Sequence, residues 1–173
     1  MDDIAKTIGM KKASLYYYYK NKETIICDTI ESEIYNFLKT AKDKISRNKS
    51  ATSKLSSLVK LETEYFQEKV GTFDLSVNTI IEAQPLINEM LEKVRTKNVD
   101  LWAAIIQEGI DNGEFKKCNA NKVADTIRTV LDSIKFREFH QVKILTANEI
   151  NYDKIKKSGL EMIDLIINGL KKC

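Results

Sequence analysis

Residues 3–25 read Asp-Ile-Ala-Lys-Thr-Ile-Gly-Met-Lys-Lys-Ala-Ser-Leu-Tyr-Tyr-Tyr-Tyr-Lys-Asn-Lys-Glu-Thr-Ile, and this stretch decides the fold. Its beginning predicts a short helix from Asp2 to Ile8, with Ile4, Ala5 and Ile8 on one face and two aspartates at the positive end of the helix dipole. Gly9 ends it, as a residue free to take a positive φ. A second short helix is predicted over Lys12–Tyr19, where Leu15 and Tyr19, four apart, share a face. Asn21 suits the N-cap of a third, much longer helix. Two short helices around a glycine turn are a helix-turn-helix pattern. The second helix of such a unit lies in the major groove, so its outward face needs donors and small residues. Lys11, Lys12, Ala13 and Ser14 supply them, and Tyr16, Tyr17, Tyr18, Lys20 and Lys22 stand where phosphates are clamped. The competing reading is a tyrosine-rich turn of a helical core, but a helix shows four consecutive tyrosines to all sides.

Charge points to the same end of the chain. The protein carries a net +3, and residues 1–22 hold five lysines against two aspartates, which is the whole surplus. A basic terminus on a neutral body suggests a nucleic-acid-facing end, with chance clustering of solvated lysines as the alternative that charge alone leaves open.

Working outward, the rest of the 173 residues reads as helix. One Pro and six Gly are too few for the turns of an all-β fold. The long helix after Asn21 is expected to reach about Ser46, followed by a helix over Thr52–Lys69 that Gly71 breaks and a shorter stretch over Asp74–Ala83. Pro85 is expected in the first turn of the next helix, where its missing N–H costs nothing, and Gly113 stops that helix after Asn112. Two more helices are expected over Asn121–Gln141 and Tyr152–Lys172. The fold class is therefore all-α, with a helix-turn-helix part over residues 1–28 and a helical ligand-binding and dimerisation domain over 29–173.

The last helix, with Leu160, Met162, Ile163, Leu165, Ile166, Ile167 and Leu170, reads as apolar almost all round and so needs burial on most sides. A second subunit supplies that most easily. The expected interface is a four-helix arrangement about a two-fold axis, using Ile127, Val130, Leu131 and Ile134 of the preceding helix with Ile163, Ile166, Ile167 and Leu170. Candidates for a small-molecule pocket are Tyr65, Phe66, Phe73, Trp102, Phe136 and Phe139, against ordinary core packing as the plainer alternative for each. The neutral body and these aromatics suit a hydrophobic or amphipathic effector.

Other classes find little support. Three distant cysteines, Cys27, Cys118 and Cys173, form no zinc or disulfide pattern. The lone histidine, His140, cannot supply the two Glu-x-x-His motifs of a di-iron bundle, and there is no P-loop or G-x-G-x-x-G. No metal, no cofactor and no enzymatic role are expected. No apolar run reaches a membrane span, and Met1-Asp2-Asp3 is no signal peptide, so a cytoplasmic protein without membrane contact is expected.

Residues 3–25 closely resemble, without gaps, the helix-turn-helix signature of TetR-family transcriptional regulators. A second resemblance runs from Ile106-Gln-Glu-Gly-Ile-Asp-Asn-Gly-Glu-Phe115 into the helix that starts at Asn121, as far as Ile134. The resemblance implies base-edge contacts for Lys11, Lys12, Ala13 and Ser14, phosphate or flanking contacts for Tyr16, Tyr17 and Tyr18, and a phosphate contact for Lys22. It also implies burial of Leu15 and Tyr19. The expected function is that of a ligand-responsive regulator, a repressor in most such proteins, acting as a homodimer on palindromic double-stranded operator DNA under a small-molecule effector. Family members carry a further helix ahead of the position where this chain begins. Its loss would uncover Ile4, Ile8, Leu15 and part of Tyr19, and would favour the alternative of a dimeric helical binding protein that no longer reads DNA.

Overall fold

The computed structural model describes the backbone of residues 1–72, 77–140 and 149–171. Within these, the side chains of Asp3, Lys22, Glu23, Ile26 and residues 70–72, 77–84, 86–91, 93 and 94 lie outside the described part. Among the described residues, seven helices follow in order: α1 (Asp2–Thr7), α2 (Lys12–Tyr18), α3 (Lys22–Ile45), α4 (Ala51–Thr72), α5 (Val77–Asp111), α6 (Ala120–Phe139) and α7 (Tyr152–Leu170).

Local chemistry explains most of the ends. Gly9 and Gly113 sit at φ +68° and +76°, the left-handed region that closes helices at little cost for glycine. Asn21 caps α3: its side chain accepts from the Thr24 amide at 2.9 Å, and the Thr24 hydroxyl accepts from the Asn21 amide at 3.3 Å. Asn119 and Asn151 cap α6 and α7 with the side-chain half of this arrangement, accepting from the Lys122 and Lys154 amides, so α6 starts at Ala120 rather than at the expected Asn121.

Most ends fall within two residues of the sequence reading, and two places differ by more. α4 runs through Gly71 to Thr72, since a helical glycine costs only about 1 kcal/mol and need not end a helix of 22 residues. α5 is continuous from Val77 to Asp111 with Pro85 inside it, where a separate helix and a first-turn proline were expected. Pro85 is exposed, and the helix packs along α3, α4 and α6, which offsets the missing amide.

The α1–α2 pair packs together at one end of the chain, with Ala5 and Leu15 buried. The body is a bundle of α3 to α7. Its core joins Phe37 and Leu38 of α3, Leu55 and Leu58 of α4, Trp102 and Ile106 of α5, Ile127 of α6 and Ile163 of α7. A second cluster of Ile150, Tyr152 and Ile155 packs with Phe66, Ile134 and Phe139. Phe115, in the connection before α6, is fully buried, and its carbonyl-side neighbour Lys116 donates to the Leu170 carbonyl at 2.8 Å. Glu114 beside it accepts from the Ala51 and Thr52 amides, both at 2.8 Å, and so caps α4 from 63 residues away.

The helices α6 and α7 are amphipathic within one chain, which corrects the expected interface. Ile127, Leu131, Ile163, Ile167 and Leu170 are at most 7% exposed and belong to the chain's own core, so they hold no surface to bury against a partner. Val130, Ile134 and Ile166 keep partial exposure. Leu165, at 75% exposed, and Phe136, at 45%, are the large apolar side chains that these helices turn outward.

Candidate nucleic-acid interface

Leu15 points inward from α2 at 2% exposure, which fixes the remaining faces of this short helix toward solvent. Lys11, Lys12, Ala13 and Ser14 are all exposed at its start, with Tyr16, Tyr17 and Tyr18 at 46%, 84% and 68% along it. Tyr17 and Tyr18 meet edge to face at 5.2 Å. Tyr19 follows the helix, which ends at Tyr18, and is only partly buried where burial was expected. Lys22 is the first residue of α3, and its side chain lies outside the described residues. The row offers cationic and hydroxyl donors beside a methyl, the set that a duplex groove and its phosphates accept. Ile8 at 53% and Met10 at 36% are exposed on the same unit, whereas Leu15 keeps its cover.

One partner escapes sequence reasoning. Lys12 Nζ lies 2.8 Å from Asp2 Oδ2 across the turn, and the side chains remain 51% and 72% exposed. This hydrogen-bonded pairing holds Asp2 below the usual carboxylate range and Lys12 above the usual ammonium range.

The aromatic pocket candidates fall in separate places. Tyr65 fastens α4 to α3: its hydroxyl donates to Glu33 Oε2 at 2.6 Å, and its ring meets Phe37 at 5.2 Å. Burial and the bond to Glu33 raise the Tyr65 phenol, while that bond and Lys69, 2.9 Å away, lower Glu33. A cavity of about 140 Å³ opens along this seam, with Phe37, Ala41, Leu61 and Tyr65 among its lining residues. Phe66 and Phe139 meet edge to face at 5.7 Å beside Tyr152, inside the second cluster. Phe136 stacks on His140 at the surface, 3.8 Å between rings, and so lines no interior pocket. Phe73 lies outside the described residues. Trp102 is wholly buried, and among the described residues its Nε1 meets no hydrogen-bond partner; one turn earlier on α5 the Asn98 Oδ1 likewise meets none among them.

A polar layer crosses the body between α4 and α6. Arg128 Nη1 lies 2.6 Å from Glu62 and Nη2 lies 2.7 Å from Asp132, with Lys135 also on Glu62. Burial pushes the Glu62 carboxyl up, but Arg128 and Lys135 outweigh it and hold it down at about 2. Among the described residues, no group of three or more His, Cys, Asp or Glu side chains could hold a metal, and no helix is long and apolar enough to cross a membrane.

Comparison with known proteins identifies the family. Residues 1–27 match the family model for bacterial regulatory proteins of the tetR family, and residues 33–172 match that for the QacR-like C-terminal region. The chain belongs to the TetR family. It is similar to the fatty acid metabolism regulator protein of Bacillus subtilis, 23% identical over 171 residues, covering 96% of this chain and 82% of that protein. Among solved structures it is similar to a transcriptional regulator from Cytophaga hutchinsonii, with TM-score 0.80, 27% identity, and 99% and 88% of the two chains covered. It also shares its fold with the Bacillus subtilis regulator FadR in complex with stearoyl-CoA, with TM-score 0.64, 20% identity, and 94% and 85% covered. This TetR-family chain is thus an all-α, DNA-binding transcriptional regulator with an N-terminal helix-turn-helix.

Proposed function

We propose that this regulator represses transcription in the cytoplasm as a homodimer on a palindromic operator, and that a hydrophobic or amphipathic effector in the body alters its hold on DNA. The observation that carries the reading is the exposed row Lys11, Lys12, Ala13, Ser14 and Tyr16–Tyr18 on α2, with Lys22 following it. Two such rows about a two-fold axis read two half-sites separated by a helical turn of DNA or a multiple of it.

Dimerisation is supported by Leu165 and Phe136, large apolar side chains left outward on α7 and α6. Partly exposed Val130, Ile134 and Ile166 extend that surface. The effector reading is supported by Trp102 and Asn98, a buried donor and a buried acceptor one turn apart on α5 that find no partner among the described residues. The stearoyl-CoA held by FadR is an amphipathic ligand on the same fold. An effector acts here if it favours the arrangement in which the two α2 helices no longer match the half-sites.

The test is selection of duplexes from a random pool, followed by anisotropy titration of the enriched sequence. Enrichment of a palindrome, with affinity falling steeply as salt rises, is the expected result. Changing Ser14 to Ala should shift preference between operators, and changing Lys11 to Ala should weaken binding. Absence of any enriched sequence would overturn the reading.

A further inference from the structure

We propose that Asp2 is an intramolecular competitor for DNA: its carboxylate holds Lys12 in the free protein, and the duplex must draw Lys12 away before that lysine can contact DNA. The contact is 2.8 Å long and joins the first residue of α1 to the first residue of α2. Lys12 stands between Lys11 and Ala13–Ser14 in the exposed row, so the pairing claims a side chain at the interface itself.

The pair is not what holds the two helices together. Ala5 and Leu15 are buried between them, and the turn is closed by backbone bonds from the Gly9 amide to Lys6 and from the Met10 amide to Ala5. Both charged side chains are more than half exposed, and such pairs are weak enough to exchange partners readily. Residues 1–22 otherwise concentrate the protein's positive surplus, with Asp2 and Asp3 as their acidic members. Asp2 therefore lowers the local field twice: it adds a negative charge near phosphates and occupies one of five lysines.

The consequence is measurable in ion counting. When DNA takes Lys12, a freed Asp2 recruits a cation from solution, which partly cancels the cations released from the duplex. An Asp2→Asn variant recruits none. It should bind the enriched duplex about two- to fivefold more tightly at low salt, the scale of an exposed ion pair. Its plot of log affinity against log salt should be steeper by up to about one unit.

A double-mutant cycle isolates the competition from a general repulsion between Asp2 and phosphate. Anisotropy titrations compare the unaltered protein, D2N, K12A and D2N/K12A on the same duplex across a salt series. The expected result is a gain from D2N only where Lys12 is present, with matched melting curves for D2N and the unaltered protein. Unchanged or weaker binding by D2N, or an equal gain in the K12A background, would overturn the proposal while leaving the regulator intact. Failure of the unaltered protein to bind any duplex would overturn the DNA-binding reading, and the competition with it.

Discussion

Glu62 is the residue on which the body's electrostatics turn. It is 9% exposed, ionised, and shared between Arg128 and Lys135. Its carboxyl titrates near 4.5 when unfolded and at about 2 in the fold, so its contribution to stability is complete above pH 4.5 and is lost as pH falls toward 2. Urea midpoints measured between about pH 6 and pH 3 should fall with acid, and Glu62→Gln should flatten that fall. At neutral pH the same variant leaves buried Arg128 and partly buried Lys135 short of a partner and should cost about 3 kcal/mol in urea unfolding. None of this layer was legible in the sequence. Glu62 sits in an apolar stripe 66 residues from Arg128, and nothing local announces that they meet. Lys12 was legible as an exposed donor, but its pairing with Asp2 was not, because the turn geometry alone brings them together.

Elements were legible where their ends are set locally. Asn21 with Thr24, Gly9 and Gly113 carry their own instructions, and the structure follows them. Gly71 and Pro85 carry local instructions too, yet α4 and α5 pass through them: one glycine need not end a helix of 22 residues, and α5 packs along its neighbours. The start of α4 is the reverse case. Its first amides are satisfied by Glu114, a residue no nearby pattern connects to it. Glu114→Ala removes both bonds and should cost about 1–2 kcal/mol, read as a lowered urea midpoint with unchanged slope. Burial raises the Glu114 carboxyl, but the Thr52 and Ala51 contacts lower it more, so this cap too should weaken in acid.

At the scale of the molecule, a stripe of apolar residues does not say whether it faces its own chain or another. Ile127 and Ile163 serve the protein's own core, and Leu165 and Phe136 are what remain outside. If the proposed homodimer uses this outward face, Leu165→Glu should leave the fold's melting behaviour intact while shifting the mass seen by light scattering from dimer to monomer. Operator affinity should drop by about a hundredfold or more, since one subunit then holds one half-site alone. A dimer of L165E with unaltered affinity would place the interface elsewhere.

The continuity of α3 has a mechanical consequence. Its 24 residues make a rigid rod about 36 Å long that begins at the recognition unit and ends in the core. Tyr65 fastens it near Glu33, about 16 Å from its free end by helical rise. Swinging the rod by roughly 10° about that fulcrum carries its tip about 3 Å on geometry of this size. In a symmetric pair the two tips part or close by about 6 Å, against a groove repeat of roughly 34 Å. In the proposed homodimer, a shift of about 1 Å at Phe37 would thereby be geared up into a misfit between the two α2 helices and their half-sites.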